Sequence, residues 1–165
     1  MEETTELASK IALIGTGATL ILDLWSLAAQ RIFSLPFPNY TMVGRWIGYF
    51  PRGRFMHESV AEVPAVAGES LIGWTAHYCI GVLYAGLLVA LAGIDWLQTP
   101  TVLPALIVGL VTVAAPFLVM QPAMGSGIAS SRAPKPNAAR LRSLAAHAVF
   151  GLGLYLSALA AAFLS

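Results

Sequence analysis

An all-α, polytopic membrane protein with four transmembrane helices is the fold class this sequence predicts, and three observations lead there. Of its 165 residues, 58% are hydrophobic and only 10% charged, against about 45–50% and about 25% in a water-soluble domain. That is too little polar material to coat a soluble globule, which argues against a soluble enzyme. Four runs, residues 11–31, 71–94, 102–120 and 144–164, are each long enough to cross about 30 Å of hydrocarbon at about 1.5 Å per residue. Finally, eight of the nine Lys and Arg residues fall in or beside two of the three connections. The chain thus reads as one membrane domain over 1–165, with basic loops at 34–70 and 121–143.

The first run carries Asp23 as its one charge before Arg31, and the other three contain no Asp, Glu, Lys or Arg. Continuous apolarity without a period of two favours helices over barrel strands. Arg31, Arg45, Arg52 and Arg54 mark the first connection, and Arg132, Lys135, Arg140 and Arg142 the third; Lys10 alone precedes the first run. The positive-inside bias makes both basic loops cytoplasmic and sets both termini outside. A cleaved leader is the competing reading of the first 30 residues, but the acidic start, Glu2, Glu3 and Glu6, and the interrupting Asp23 do not suit one.

In the first run Thr16, Thr19, Asp23, Ser26 and Gln30 recur at steps of three and four, which predicts one polar helix stripe turned away from lipid. In the first loop Val43, Trp46, Ile47 and Phe50 have helical spacing beside Arg45, Arg52, Arg54 and His57. This predicts a short interfacial helix in the headgroup layer. The second and fourth runs overlay, with Ala76, His77 and Gly81 matching Ala146, His147 and Gly151, and Tyr84 and Tyr155 one register apart. The first and third match more weakly, through Gly17, Thr19 and Asp23 against Gly109, Thr112 and Pro116. Two repeated helical hairpins follow from this, against the alternative of chance similarity in Gly- and Ala-rich spans. Pro116 should kink the third helix and free a carbonyl.

Asp23 is the leading candidate for chemistry. It lies about nine residues, or roughly 13 Å, from the cytoplasmic end of its helix, where a charge costs about 2.5–3.5 kcal/mol on insertion scales. It must be protonated, paired or hydrated. His77 and His147 enter their spans from the same side, some five residues or roughly 8 Å in. With Tyr84 and Tyr155 on the same faces, these residues form a candidate proton relay or buried polar site, because carboxyls and imidazoles shifted by burial titrate near neutrality. A hydrogen-bonded structural seam is the bland alternative, and an N, N, O metal set the weakest. The sequence leads us to expect no metal and no cofactor.

Arg45, Trp46, Arg52, Arg54, Arg132 and Arg142 are candidate contacts for anionic lipid, against the simpler reading of topology signal and turn chemistry. Gly125, Ser126 and Gly127 beside Arg132 suggest an anion-cradling turn, but the Lys-Ser/Thr of a P-loop and its strand are absent, so nucleotide binding is not expected. Nucleic acid is not an expected partner either. The lone Cys79 excludes an intrachain disulfide and a Cys-rich zinc site, and is expected as inert packing.

Several motifs occur together in order: Val43-Gly-Arg-Trp-Ile-Gly, Pro51-Arg-Gly-Arg-Phe, Gly73-Trp-Thr-Ala-His-Tyr, Gln121-Pro-Ala-Met-Gly-Ser-Gly-Ile-Ala, Gly17-Ala-Thr before Asp23, and His147 followed by Phe150-Gly-Leu-Gly-Leu-Tyr. The chain resembles, over almost its whole length, a bacterial family of small integral membrane proteins defined by a domain of unknown function (2938). The resemblance implies a bacterial cytoplasmic membrane location and four spans, and it implies no activity or catalytic residue.

Three functions are weighed. Small-solute or proton-coupled transport is favoured, with Asp23 as proton acceptor and His77 and His147 as relay or gate; four short spans enclose little space, which points to a homodimer. The alternative is a non-transporting lipid-binding or assembly module. A membrane enzyme acting on lipid headgroups comes last, since no enzyme motif is present.

Overall fold

A computed structural model describes residues 2–164; the ends of the expected domain, Met1 and Ser165, lie outside the described residues. It is all-helical, with no strand among the described residues. In order come α1 (Glu2–Phe33), α2 (Tyr40–Gly48), a 3-10 turn (Phe50–Arg52), α3 (Glu69–Ala92), a 3-10 turn (Ile94–Leu97) and α4 (Val102–Val111). A π-helical turn (Pro116–Met120), α5 (Gln121–Ala123), a 3-10 turn (Ile128–Ser130) and α6 (Pro136–Leu164) follow.

Four helical segments are long and apolar enough to cross a membrane: Glu3–Phe33, Glu69–Ala92, Val102–Ala123 and Pro136–Phe163. Only 22–33% of each most apolar window is buried within the protein. The outward faces carry Leu13, Leu20, Leu24, Leu83, Leu91, Leu103 and Val111, all exposed. Water would not tolerate so much continuous apolar surface, whereas hydrocarbon is its natural solvent.

The helices run further than the apolar runs that announce them. α1 begins at Glu2 because its first turns supply their own polar partners: Lys10 Nζ pairs with Glu6 Oε1 at 2.8 Å, and Ser9 Oγ donates to the Thr5 carbonyl. Leu7 and Ile11 on the same stretch pack against the apolar core. α6 begins at Pro136, where the missing N–H of a first-turn proline costs nothing.

The chain divides into two compact units. The first comprises residues 1–37, 78–112 and 145–165 and gathers stretches of α1, α3, α4 and α6. Its core is Ile14, Ala18, Ala85, Leu88, Leu154 and Ala158, each at most 1% exposed. Helices in lipid gain little from hydrophobic exclusion and associate through close packing, so glycine marks the crossings. A Cβ on Gly15 would fall 2.5 Å from Val82 Cα, joining α1 to α3. On Gly109 it would fall 2.6 Å from Gly151 Cα, joining α4 to α6, and on Gly153 it would fall 3.0 Å from Ala18 Cα, joining α6 to α1. The residues that overlay in sequence, Gly81 and Gly151, thus both lie at helix crossings: Gly81 meets Gly15 and Thr19, and Gly151 meets Ala105 and Gly109. The short connection after α3 also belongs to this core. Trp96 and Leu97 are buried, and Trp96 Nε1 donates to the Thr101 carbonyl at 3.3 Å.

The second unit comprises residues 38–77 and 113–144. Asn39 caps α2 by accepting from the Met42 N–H. Val43, Trp46 and Ile47 are half-buried, and Phe50 falls in the 3-10 turn beyond the helix. Gly44 meets the Glu69 carbonyl and Gly73, while Gly73 meets the Tyr40 carbonyl, so α2 lies backbone to backbone on the start of α3. Segment 57–60 docks on the end of α5, with the His57 N–H donating to the Ala123 carbonyl and the Val60 N–H to the Met124 carbonyl. The regular helix gives way ahead of Pro116. Regular α4 ends at Val111, because Pro116 has no N–H to offer the Thr112 carbonyl one turn earlier, and past the proline the chain runs as a π-turn in which the Gln121 N–H donates to the Pro116 carbonyl.

Candidate functional site

The polar stripe of α1 is only partly turned inward. Thr19 and Ser26 are buried, Asp23 is half-buried, and Thr16 and Gln30 are exposed. Thr19 Oγ1 donates to the Gly15 carbonyl at 2.8 Å, the usual way a threonine satisfies itself in an apolar helix. Ser26 Oγ is buried with no hydrogen-bond partner among the described residues. Asp23 Oδ2 accepts a hydrogen bond of 3.0 Å from the Tyr78 hydroxyl on α3. Tyr78 was not among the residues the sequence singled out; only its place beside His77 in the Gly73-Trp-Thr-Ala-His-Tyr motif drew attention to it.

His147 on α6 meets α4. Its Nδ1 lies 3.1 Å from the Gly109 carbonyl oxygen and 3.2 Å from Thr112 Oγ1, and Thr112 Oγ1 donates to that same carbonyl at 2.7 Å. Thr112 is itself buried. Nearby, Tyr84 stands edge-on to Phe150, with centroids 6.1 Å apart, and both Tyr84 and Tyr155 pack against the apolar core. These groups all belong to the first unit.

His77 belongs to the second unit, where its ring stacks on Tyr40 with centroids 3.9 Å apart and an interplanar angle of 23°. Trp74 stands edge-on to the same imidazole. Cys79, expected as inert packing, is instead exposed on α3: it follows the inward-turned Tyr78 by one helix position, and a step of about 100° carries it to another face.

The arginines divide into engaged and exposed groups. Arg45 makes four hydrogen bonds: Nε and Nη2 to the two Glu69 carboxylate oxygens, each 2.8 Å, and Nη1 to the Ala61 and Val63 carbonyls. The Glu69 hydrogen bond holds the Arg45 guanidinium above its ordinary pKa. Glu69 Oε2 also accepts from the Val66 N–H, and Tyr49 Oη donates to the Pro64 carbonyl, so this cluster pins the loop before α3. Trp46 Nε1 donates to the Phe55 carbonyl. Arg140 donates to the Ala129 carbonyl, and Arg142, half-buried, to that of Ala138. Arg52, Arg54 and Arg132 are exposed, Arg52 with its guanidinium 4.9 Å from the Tyr49 ring centre. In the Gly125-Ser126-Gly127 turn, the Gly125 N–H donates to the Pro122 carbonyl and the Ser126 N–H to that of Gln121. Those two donors are therefore not free to cradle an anion. Among the described residues no group of three or more His, Cys, Asp or Glu is placed to hold a metal ion.

An apolar exterior, a glycine-packed interior and ionisable groups hydrogen-bonded between helices define a multi-pass helical membrane protein. Residues 12–161 match the family model described as a protein of unknown function (DUF2938), and the chain belongs to that family. No curated protein and no solved structure matches it.

Proposed function

We propose that this protein moves a small solute or protons across a bacterial cytoplasmic membrane, with Asp23 as the proton acceptor. The observation that carries this reading is the 3.0 Å hydrogen bond between Asp23 and Tyr78 within two apolar helices. A carboxylate there is costly unless it is used or compensated. A tyrosine hydroxyl can donate to a carboxylate and accept from a carboxylic acid. Tyr78 therefore suits both protonation states of Asp23, as a site that loads and unloads a proton requires. His147, held by Thr112 and Gly109 in the same unit as Asp23, supplies a further station for a relay or gate. The basic loops face the cytoplasm and both termini face out, by the charge bias of the connections. A homodimer gives such short spans room for a pathway.

The test is proton uptake into pyranine-loaded liposomes under an imposed potassium diffusion potential. The wild type should acidify the lumen above the protein-free rate and Asp23→Asn should not, with helix content unchanged by circular dichroism. Equal uptake by both proteins would sink the reading.

The second reading, an anionic-lipid-binding module, draws on the exposed Arg52, Arg54 and Arg132 of the second unit. Guanidinium groups suit phosphate oxygens, which they can bind with two parallel hydrogen bonds.

A further inference from the structure

We infer that the Gly109 carbonyl and the Thr112 hydroxyl fix His147 in its Nδ1–H tautomer, which makes Nε2 the proton-accepting atom of that residue. A neutral imidazole carries one N–H and one bare nitrogen, and the partner of one nitrogen decides which is which. Nδ1 stands 3.1 Å from the Gly109 oxygen. A carbonyl oxygen only accepts, so a bare Nδ1 would set two lone pairs against each other at hydrogen-bond distance. Thr112 closes the remaining option. Its hydroxyl proton is directed to the Gly109 oxygen across the shortest contact of the three, 2.7 Å, which leaves Oγ1 turned to Nδ1, 3.2 Å away, as an acceptor. Only a proton on Nδ1 satisfies both oxygens.

The glycines make the arrangement possible. Gly109 lies in the last turn of α4, where helix carbonyls fall outside the intrahelical ladder. A Cβ on Gly109 would come within 2.7 Å of the His147 carbonyl oxygen and 2.6 Å of Gly151 Cα. Without side chains at this crossing, α6 comes near enough for an imidazole to reach the backbone of α4. Thr112 is accordingly a positioning residue that acts through His147. In the transport reading, on which this functional half rests, Nε2 takes up the proton or accepts a hydrogen bond from a donor-bearing solute. The tautomer itself does not depend on that reading.

The experiment is solid-state NMR of full-length protein labelled with 15N-histidine, in lipid bilayers at alkaline pH. The chain has three histidines, and a His147→Gln spectrum identifies the signals of His147. A pyrrole-type Nδ1 and a pyridine-type Nε2, in an excess of about fivefold or more such as one ordinary hydrogen bond supplies, are expected. Thr112→Val should erode that excess and Thr112→Ser should restore it. A dominant Nε2–H tautomer in the wild type would overturn the inference, and populations unmoved by Thr112→Val would overturn the part given to Thr112. If the tautomer is found while Asp23→Asn still takes up protons normally, the transport reading fails and the assignment of Nε2 stands.

Discussion

Tyr78 donates its hydroxyl to the carboxylate of Asp23, 55 positions away in the chain, across 3.0 Å. Both residues lie in the apolar stretches of helices long enough to cross a membrane. The bond settles how an acidic side chain is accommodated on α1, and it supplies a partner that serves the acid and its conjugate base alike.

Removing that hydroxyl should therefore weaken function without removing the acceptor. A hydrogen bond to a charged group contributes about 1.5–3 kcal/mol, and about 1.4 kcal/mol is a factor of ten. Tyr78→Phe is thus expected to slow proton uptake by about tenfold or more in the pyranine assay, while Asp23→Asn abolishes it. A Tyr78→Phe protein as fast as the wild type would separate the pair from the activity.

The helix crossings make a contrasting pair of expectations. Gly15→Ala puts a methyl 2.5 Å from Val82 Cα, where only backbone can give way. We expect a loss of about 1–3 kcal/mol, the usual range for an overpacked site. Gly86 faces nothing nearer than Ile11 Cγ2 at 3.7 Å, an ordinary contact. Gly86→Ala should gain about 0.5–1 kcal/mol from the reduced freedom of the unfolded chain. Unfolding in mixed micelles by titrated dodecyl sulfate measures both, and equal midpoints for the two variants would contradict the packing described.

Arg45 holds its loop through a planar fork that lysine lacks. Arg45→Lys keeps the charge but cannot make the paired bonds to both Glu69 oxygens together with those to Ala61 and Val63. Faster amide exchange over residues 58–68 is expected in Arg45→Lys and Glu69→Gln alike, and it should not be additive in the double variant. Additive exchange would show that the two side chains act separately.

Neutralising the exposed cations tests the lipid-binding reading. Arg52, Arg54 and Arg132 changed together to Gln should lower the anionic lipid retained in native mass spectrometry at least tenfold if headgroup binding is their role. Retention equal to the wild type would dismiss it. Arg45 is left intact in this variant because of its bonds to Glu69.

Some of this was legible in the chain itself. Four membrane-crossing helices follow from length and apolarity alone, since a bilayer needs about 20 apolar residues and demands that each span satisfy its own backbone. The short helix before the second span and the break one turn ahead of Pro116 followed from spacing and from proline's missing N–H. Asp23 and His147 stood out because polar groups in hydrocarbon are costly. Their partners did not. Tyr78 and Thr112 are ordinary residues of apolar spans, and what selects them is how closely glycine lets one helix approach another. The inward turn of Trp96 and the bonds from Arg45 to Glu69 likewise depend on contacts between distant segments, whereas the helical start at Glu2 rests on the local pairs Lys10–Glu6 and Ser9–Thr5. Composition and period are properties of one segment, so the sequence by itself determined which segments cross the membrane. Which side chain meets which depends on the distance and rotation between helices far apart in the chain, and only the tertiary structure decided that.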